Sequence, residues 1–138
     1  MYEFSNPTHP IFLLIYPNLI MWKIKKQLLE DICTFAKNNY PFEFLCFLSG
    51  KNELIEEFVF IPNNNGEGFV EVNLHHLPLD PSIIGSIHSH PDGQNHPSQE
   101  DKKFFQNYKI NGIINYSFTI GGIKFYDNKG KEISVDIV

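Results

Sequence analysis

Apolar and polar positions along this chain follow two rhythms, and the change from one to the other marks its elements. Ile11-Phe12-Leu13-Leu14-Ile15-Tyr16 is an unbroken apolar run stopped by Pro17, which predicts a core strand. Asn18 can then cap a helix from about Leu19 to Lys37. Met21, Ile24, Leu28, Ile32 and Phe35 recur there at three- and four-residue steps, as one buried stripe should. Asn38-Asn39-Tyr40-Pro41 ends that helix.

Strand-like runs follow. Phe42 to Ser49 reads as a strand, Gly50-Lys51-Asn52 as a turn, and Leu54 to Ile61 as the next strand. Phe69 to Asn73 is a further short one. Ile83-Ile84-Gly85-Ser86-Ile87 is apolar and β-branched, so a buried strand is expected to run up to His88. A second helix begins near Ser98 and continues through Lys102-Lys103-Phe104-Phe105-Gln106. Gly112 to Phe118 and Ile123 to Tyr126 read as strands around Gly121-Gly122, and Ile133 to Val138 as an edge strand. This order predicts the α/β class, a mixed β-sheet flanked by helices.

Composition narrows the function classes. The 138 residues are a single-domain length, so one domain over 1–138 is expected. A net charge of −5 gives no electrostatic case for nucleic-acid binding. Lys23-Ile24-Lys25-Lys26 reads as the solvated face of a helix. The first apolar run is far too short to span a membrane and has no basic leader, which predicts a soluble, cytoplasmic protein. Cys33 and Cys46 are too few for a disulfide framework; reduced and buried is the expectation, with a bridge possible if their elements pack together. Asn63-Asn64-Asn65-Gly66-Glu67-Gly68 lacks the Gly-Lys-Ser/Thr ending of a phosphate loop.

The chemistry concentrates in one stretch. His88 and His90 stand at positions i and i+2 of a strand end, so both rings face one side, as two ligands of one metal ion must. Pro91-Asp92-Gly93-Gln94-Asn95-His96-Pro97 supplies the bend into the second helix, with His96 as a solvated loop residue. Asp101 sits three residues into that helix and can add a carboxylate, completing the His₂-carboxylate set of a catalytic zinc site. Ser98-x-x-Asp101 also reads as a capping box with no metal at all. The adjacent His75 and His76 point apart on an extended chain and are not expected to share an ion.

His88-Ser89-His90-Pro91, seven residues over 91–97, then Ser98, two residues and Asp101 resemble the JAMM (MPN+, Mov34/PAD-1-like) zinc metalloprotease motif. Pro41 to Gly50 looks like that family's upstream segment, with Glu43 at the position of its glutamate. Ile61-Pro62-Asn63 looks like its strand-end asparagine. Where the family has a glycine three residues after the glutamate, this chain has Cys46.

The resemblance implies a cytidine-deaminase-like fold and one Zn²⁺ per chain on His88, His90 and Asp101. It implies Glu43 as general base then acid, and Ser98 as a donor to the developing oxyanion. It further implies cleavage after the C-terminal tail of a ubiquitin-like modifier or sulfur-carrier protein, by a small prokaryotic-type enzyme. A zinc endopeptidase on small or cell-wall peptides, and a non-catalytic MPN scaffold, are the alternatives. A deaminase is disfavoured because its His-x-Glu and Cys-x-x-Cys ligands are absent.

Overall fold

The computed structural model describes residues 21–60 and 81–138. The expected strands at Ile11–Tyr16 and Phe69–Asn73, the Asn18 cap, Asn63 with the loop that follows it, and His75-His76 lie outside the described residues.

Eight strands form one mixed sheet among the described residues. They are β1 (Lys23–Ile24), β2 (Leu45–Lys51), β3 (Leu54–Val59), β4 (Ile83–Ser89), β5 (Ile110–Ile114), β6 (Ile123–Tyr126), β7 (Glu132–Ile133) and β8 (Asp136–Ile137). Helix α1 (Lys26–Asn38) follows β1, and α2 (Gln99–Phe105) joins β4 to β5. The sheet order is β7-β6-β5-β4-β2-β3-β1-β8. The β4–β5 pair is parallel and spans the α2 crossover, whereas β2 is antiparallel to both β3 and β4.

β7 and β8 stand at opposite ends of that order, yet only Ser134 and Val135 separate them in sequence. Three residue steps reach about 11 Å at most, so the sheet curls until its two ends nearly meet. Helix α1 accordingly touches both β3 and the 3₁₀ turn at Ile120–Gly122 just before β6.

Alternation divides the core into two faces. Leu28, Leu29, Ile32, Cys33 and Ala36 of α1 pack with Cys46, Leu48, Ile55, Ile87, Ile110, Ile114 and Phe125. Each fully buried Ile or Leu there contributes roughly 1.5–3 kcal/mol. The intervening residues face α2. Phe105 packs with Ile113 and Tyr126, while Phe47 meets Phe104 and Tyr108. On β4 this puts Ile87 under α1 and leaves Ser86 and His88 toward α2.

Several sequence expectations are corrected. Among the described residues, the helix expected over Leu19 to Lys37 runs Lys26–Asn38, because Lys23–Ile24 is a strand held between β3 and β8. Its N-terminus has no side-chain cap; the Lys26 N–H donates instead to the Val138 carbonyl at 2.9 Å. Phe35 is exposed, and Leu29, Cys33 and Ala36 complete the buried stripe instead. The hairpin turns at Asn52-Glu53, both with positive φ, while Gly50 and Lys51 remain in β2. A Cβ at Gly50 would run into the Leu54 carbonyl, so this glycine serves close strand approach. Ile133 to Val138 is two short strands on opposite ends of the sheet.

Candidate metal centre

β4 carries His88 on the α2 side of the sheet, paired with Leu45 of β2 and Ile113 of β5. The His90 N–H donates to the Ile114 carbonyl at 2.8 Å, which continues the parallel ladder past the end of the strand. The sheet therefore fixes both histidines, and the two-residue period turns both rings the same way. Phe105 lies behind His88 with ring centroids 6.2 Å apart, and His88 is buried.

Two imidazole nitrogens and both oxygens of one carboxylate converge. His88 Nε2 is 3.1 Å from His90 Nε2 and 3.2 Å from Asp101 Oδ1, and His90 Nε2 is 3.1 Å from Asp101 Oδ2. Ligands bound to a tetrahedral Zn²⁺ at their usual lengths would stand about 3.3 Å apart. Each of these contacts is close to that spacing.

The proton inventory points the same way. His90 Nδ1 lies 2.7 Å from the Gln94 carbonyl oxygen, which can only accept, so Nδ1 carries the proton. In the neutral ring, Nε2 then presents a lone pair toward the Asp101 carboxylate. That contact is repulsive unless the ring takes up a second proton or a metal cation stands between them, and the imidazole and carboxylate donors suit zinc. Among the described residues, His88, His90 and Asp101 are the group able to hold a metal ion.

Electrostatics agree. Burial opposes protonation of His90, but the bonded Asp101 carboxylate, the Gln94 carbonyl and the Glu43 charge outweigh it and raise its pKa. Burial likewise opposes ionisation of Asp101, yet bonds from the two imidazoles and the Ser98 N–H hold it well below the usual carboxylate range. The pocket thus favours positive charge at its centre.

Asp101 comes from the start of α2, where the capping box is complete. Ser98 Oγ accepts the Asp101 N–H at 3.0 Å, and Asp101 Oδ2 accepts the Ser98 N–H at 2.9 Å. The cap and the metal-type cluster use the same carboxylate, so the two sequence readings of Ser98-x-x-Asp101 do not compete. The exposed Ser98 hydroxyl accepts one bond and retains its own proton to donate. The other end of α2 is tied down by buried Asn111, which donates to the Phe105 and Tyr108 carbonyls and accepts from Ser86 Oγ at 2.7 Å.

Glu43 lies just before β2, half-buried, and its charge acts on His90. Ser89 turns to the opposite side from the two histidines, as strand alternation requires, and its Oγ accepts the Phe44 N–H. Cys46 pairs with Ile87 and joins the α1 core, so the departure from glycine affects packing on the far face from His88. Cys33 and Cys46 are free and buried. His96 is an exposed loop residue.

Sequence reasoning did not single out the Gln94 carbonyl or the Tyr126 hydroxyl. Tyr126 donates to the Asn95 carbonyl at 2.7 Å and, with Asn95 Nδ2 on the Gly122 carbonyl, anchors the loop between His90 and Ser98. A main-chain acceptor leaves no residue-type signal. Tyr126 was legible only as a strand residue.

The family described as prokaryotic homologs of the JAB domain matches residues 25–135. A solved structure described as JAMM, a metalloprotease-like zinc site in the proteasome and signalosome, is 29% identical with a TM-score of 0.69. The match covers 86% of this chain and 98% of that one. A JAB1/MPN domain protein from Archaeoglobus fulgidus is 32% identical with a TM-score of 0.68, covering 84% of this chain and 98% of its own. A protein from Desulfitobacterium hafniense, 20% identical with a TM-score of 0.58 and covering 86% and 92%, shares the fold. Curated proteins give no match.

Proposed function

This chain belongs to the prokaryotic JAB-domain family, as a small member of the JAMM/MPN fold, and on that premise we propose that it is a zinc-dependent peptidase. The observation that carries the reading is the His88–His90–Asp101 triangle, with the His90 tautomer set by Gln94. In this proposal those three residues hold one zinc ion per chain. A zinc ion held there would supply Lewis acidity and would lower the pKa of a water to about 7.

The remaining work belongs to the chain. Glu43 takes the proton of the attacking water and delivers it to the leaving amine, base first and acid second. The Ser98 hydroxyl donates to the carbonyl oxygen as negative charge develops on it. Gln94 keeps the His90 proton on Nδ1, so Nε2 stays available as a ligand. Tyr126 and Asn95 hold the intervening loop in the shape that makes this bond.

The proposed substrate is the bond after the C-terminal tail of a ubiquitin-like modifier or sulfur-carrier protein, with the tail bound extended. Fold and family support this class. No helix of the described residues is long and apolar enough to cross a membrane. The test offers the zinc-loaded protein folded modifier conjugates beside short and cell-wall peptides. Cleavage of conjugates alone supports the reading. Cleavage of the peptides alone assigns the same site to a small-peptide endopeptidase, and cleavage of neither, with zinc bound, removes the peptidase.

A further inference from the structure

The peptide group that joins Glu43 to Phe44 is bonded by side chains at both of its polar atoms. Its carbonyl oxygen accepts from Asn39 Nδ2 at 2.7 Å, and its N–H donates to Ser89 Oγ at 2.9 Å. The next carbonyl, that of Phe44, accepts the Ser89 N–H at 2.9 Å. Ser89 lies between the two histidines in sequence and is fully buried. Asn39 ends α1, the helix packed on the other face of the sheet from His88.

These bonds fall where regular structure does not reach. The β2–β4 ladder begins at Leu45 opposite His88, so Glu43 precedes it. An ordinary strand residue at 89 would leave the Phe44 N–H without this acceptor. Rotation of the Glu43–Phe44 plane about Glu43 ψ would swing the Cα–Cβ bond, and with it the carboxylate. Through Ser89, this plane is registered against the same strand that carries both histidines.

We infer that Ser89 and Asn39 are positioning residues that clamp the Glu43–Phe44 peptide and so aim the Glu43 carboxylate at the His88–His90–Asp101 centre. Neither residue touches the centre itself. The inference rests on the role of Glu43 proposed above, and it gives the serine of the His-Ser-His stretch a task distinct from metal binding.

The experiment uses the full zinc-loaded chain with Ser89→Ala and, at an exposed position where folding is not at stake, Asn39→Ala. Each should lower kcat by about 10- to 100-fold, with KM and zinc affinity held within about twofold. Hydrogen exchange at the Phe44 amide should accelerate in Ser89→Ala. Ser89→Thr keeps the hydroxyl and should restore both kcat and exchange protection.

Faster Phe44 exchange with unchanged kcat overturns the inference, as does a parallel loss of zinc affinity. If the parent cleaves nothing, the peptidase reading fails by itself. The clamp is then decided by Phe44 exchange and the Glu43 Cα–Cβ scalar couplings, and unchanged values in both variants overturn it.

Discussion

Asp101 and Ser98 bond each other twice, and the carboxylate oxygen that completes this exchange is the one lying 3.1 Å from His90 Nε2. A helix cap and a metal-type ligand are therefore one group. The carboxylate reaches the histidines already oriented, because the first turn of α2 cannot form its box without placing it there. Ser98→Ala should cost about 1 kcal/mol of stability in the metal-free protein through the lost cap. Turnover should fall by roughly 10²–10³, through loss of a donor to the oxyanion. Urea unfolding and steady-state kinetics separate the two; a rate loss no greater than the stability loss explains would remove the donor role.

Zinc should bind about one per chain and raise the thermal midpoint. At a hundredfold excess over its dissociation constant the stabilisation is about 2.7 kcal/mol. A chelator should reverse it. His88→Ala and Asp101→Ala should show neither the binding nor the shift, by metal analysis and thermal denaturation. Full-strength binding in both variants would refute the ligand set.

Glu43→Gln keeps the size and polarity of the side chain and removes its basicity. Zinc content and melting temperature should match the parent, while hydrolysis falls by about 10²-fold or more. Unchanged turnover would take Glu43 out of the mechanism.

Asn111→Ala would strand the Tyr108 carbonyl and the Ser86 hydroxyl in a buried place and leave the Phe105 carbonyl with only the Tyr108 N–H. The loss should be about 2–3 kcal/mol, read from denaturant midpoints. Because Asn111 grips the far end of the helix that carries Asp101, zinc affinity should weaken along with stability.

The two thiols should be silent. Burial, reinforced by the Glu30 charge, pushes Cys33 up to about 11, and burial raises Cys46 further still. Thiolate is the reactive form, so labelling of folded protein at pH 8 should be slow. Its rate should climb as pH approaches the raised values. Unfolding should release both thiols at once; rapid labelling of one in the native state would show that its shielding is incomplete.

Legibility in the sequence followed the range of the interactions. Ile83–Ile87 leading to His88, the Ser98 cap and the strand at Ile123–Tyr126 are local patterns, and the structure places them as the residues suggested. Lys23–Ile24 was not legible as a strand. Ile24 falls on the helical stripe by spacing, and only pairing with Leu54–Ile55 and Asp136–Ile137 draws it out of the helix. The turn went to Gly50 because glycine marks turns, whereas the chain reverses at Asn52-Glu53 and uses the glycine for its small size. At the centre, the side-chain types were readable. The Gln94 carbonyl, which sets the ring proton of His90, was not.

The curled sheet carries a consequence for how the chain reaches its native state. Lys23 pairs with Asp136 and Ile24 with Ile137, partners more than a hundred residues apart in sequence. The ladders that hold the histidines, β2–β4 and β4–β5, need far shorter loops to close. Because long loops cost more entropy before their contacts form, the β1–β8 seam belongs at the end of folding. The same seam brings Val138 to the first turn of α1. The last event in assembly is thus a zipping of the two ends of the described chain, around a site whose framework is already in place.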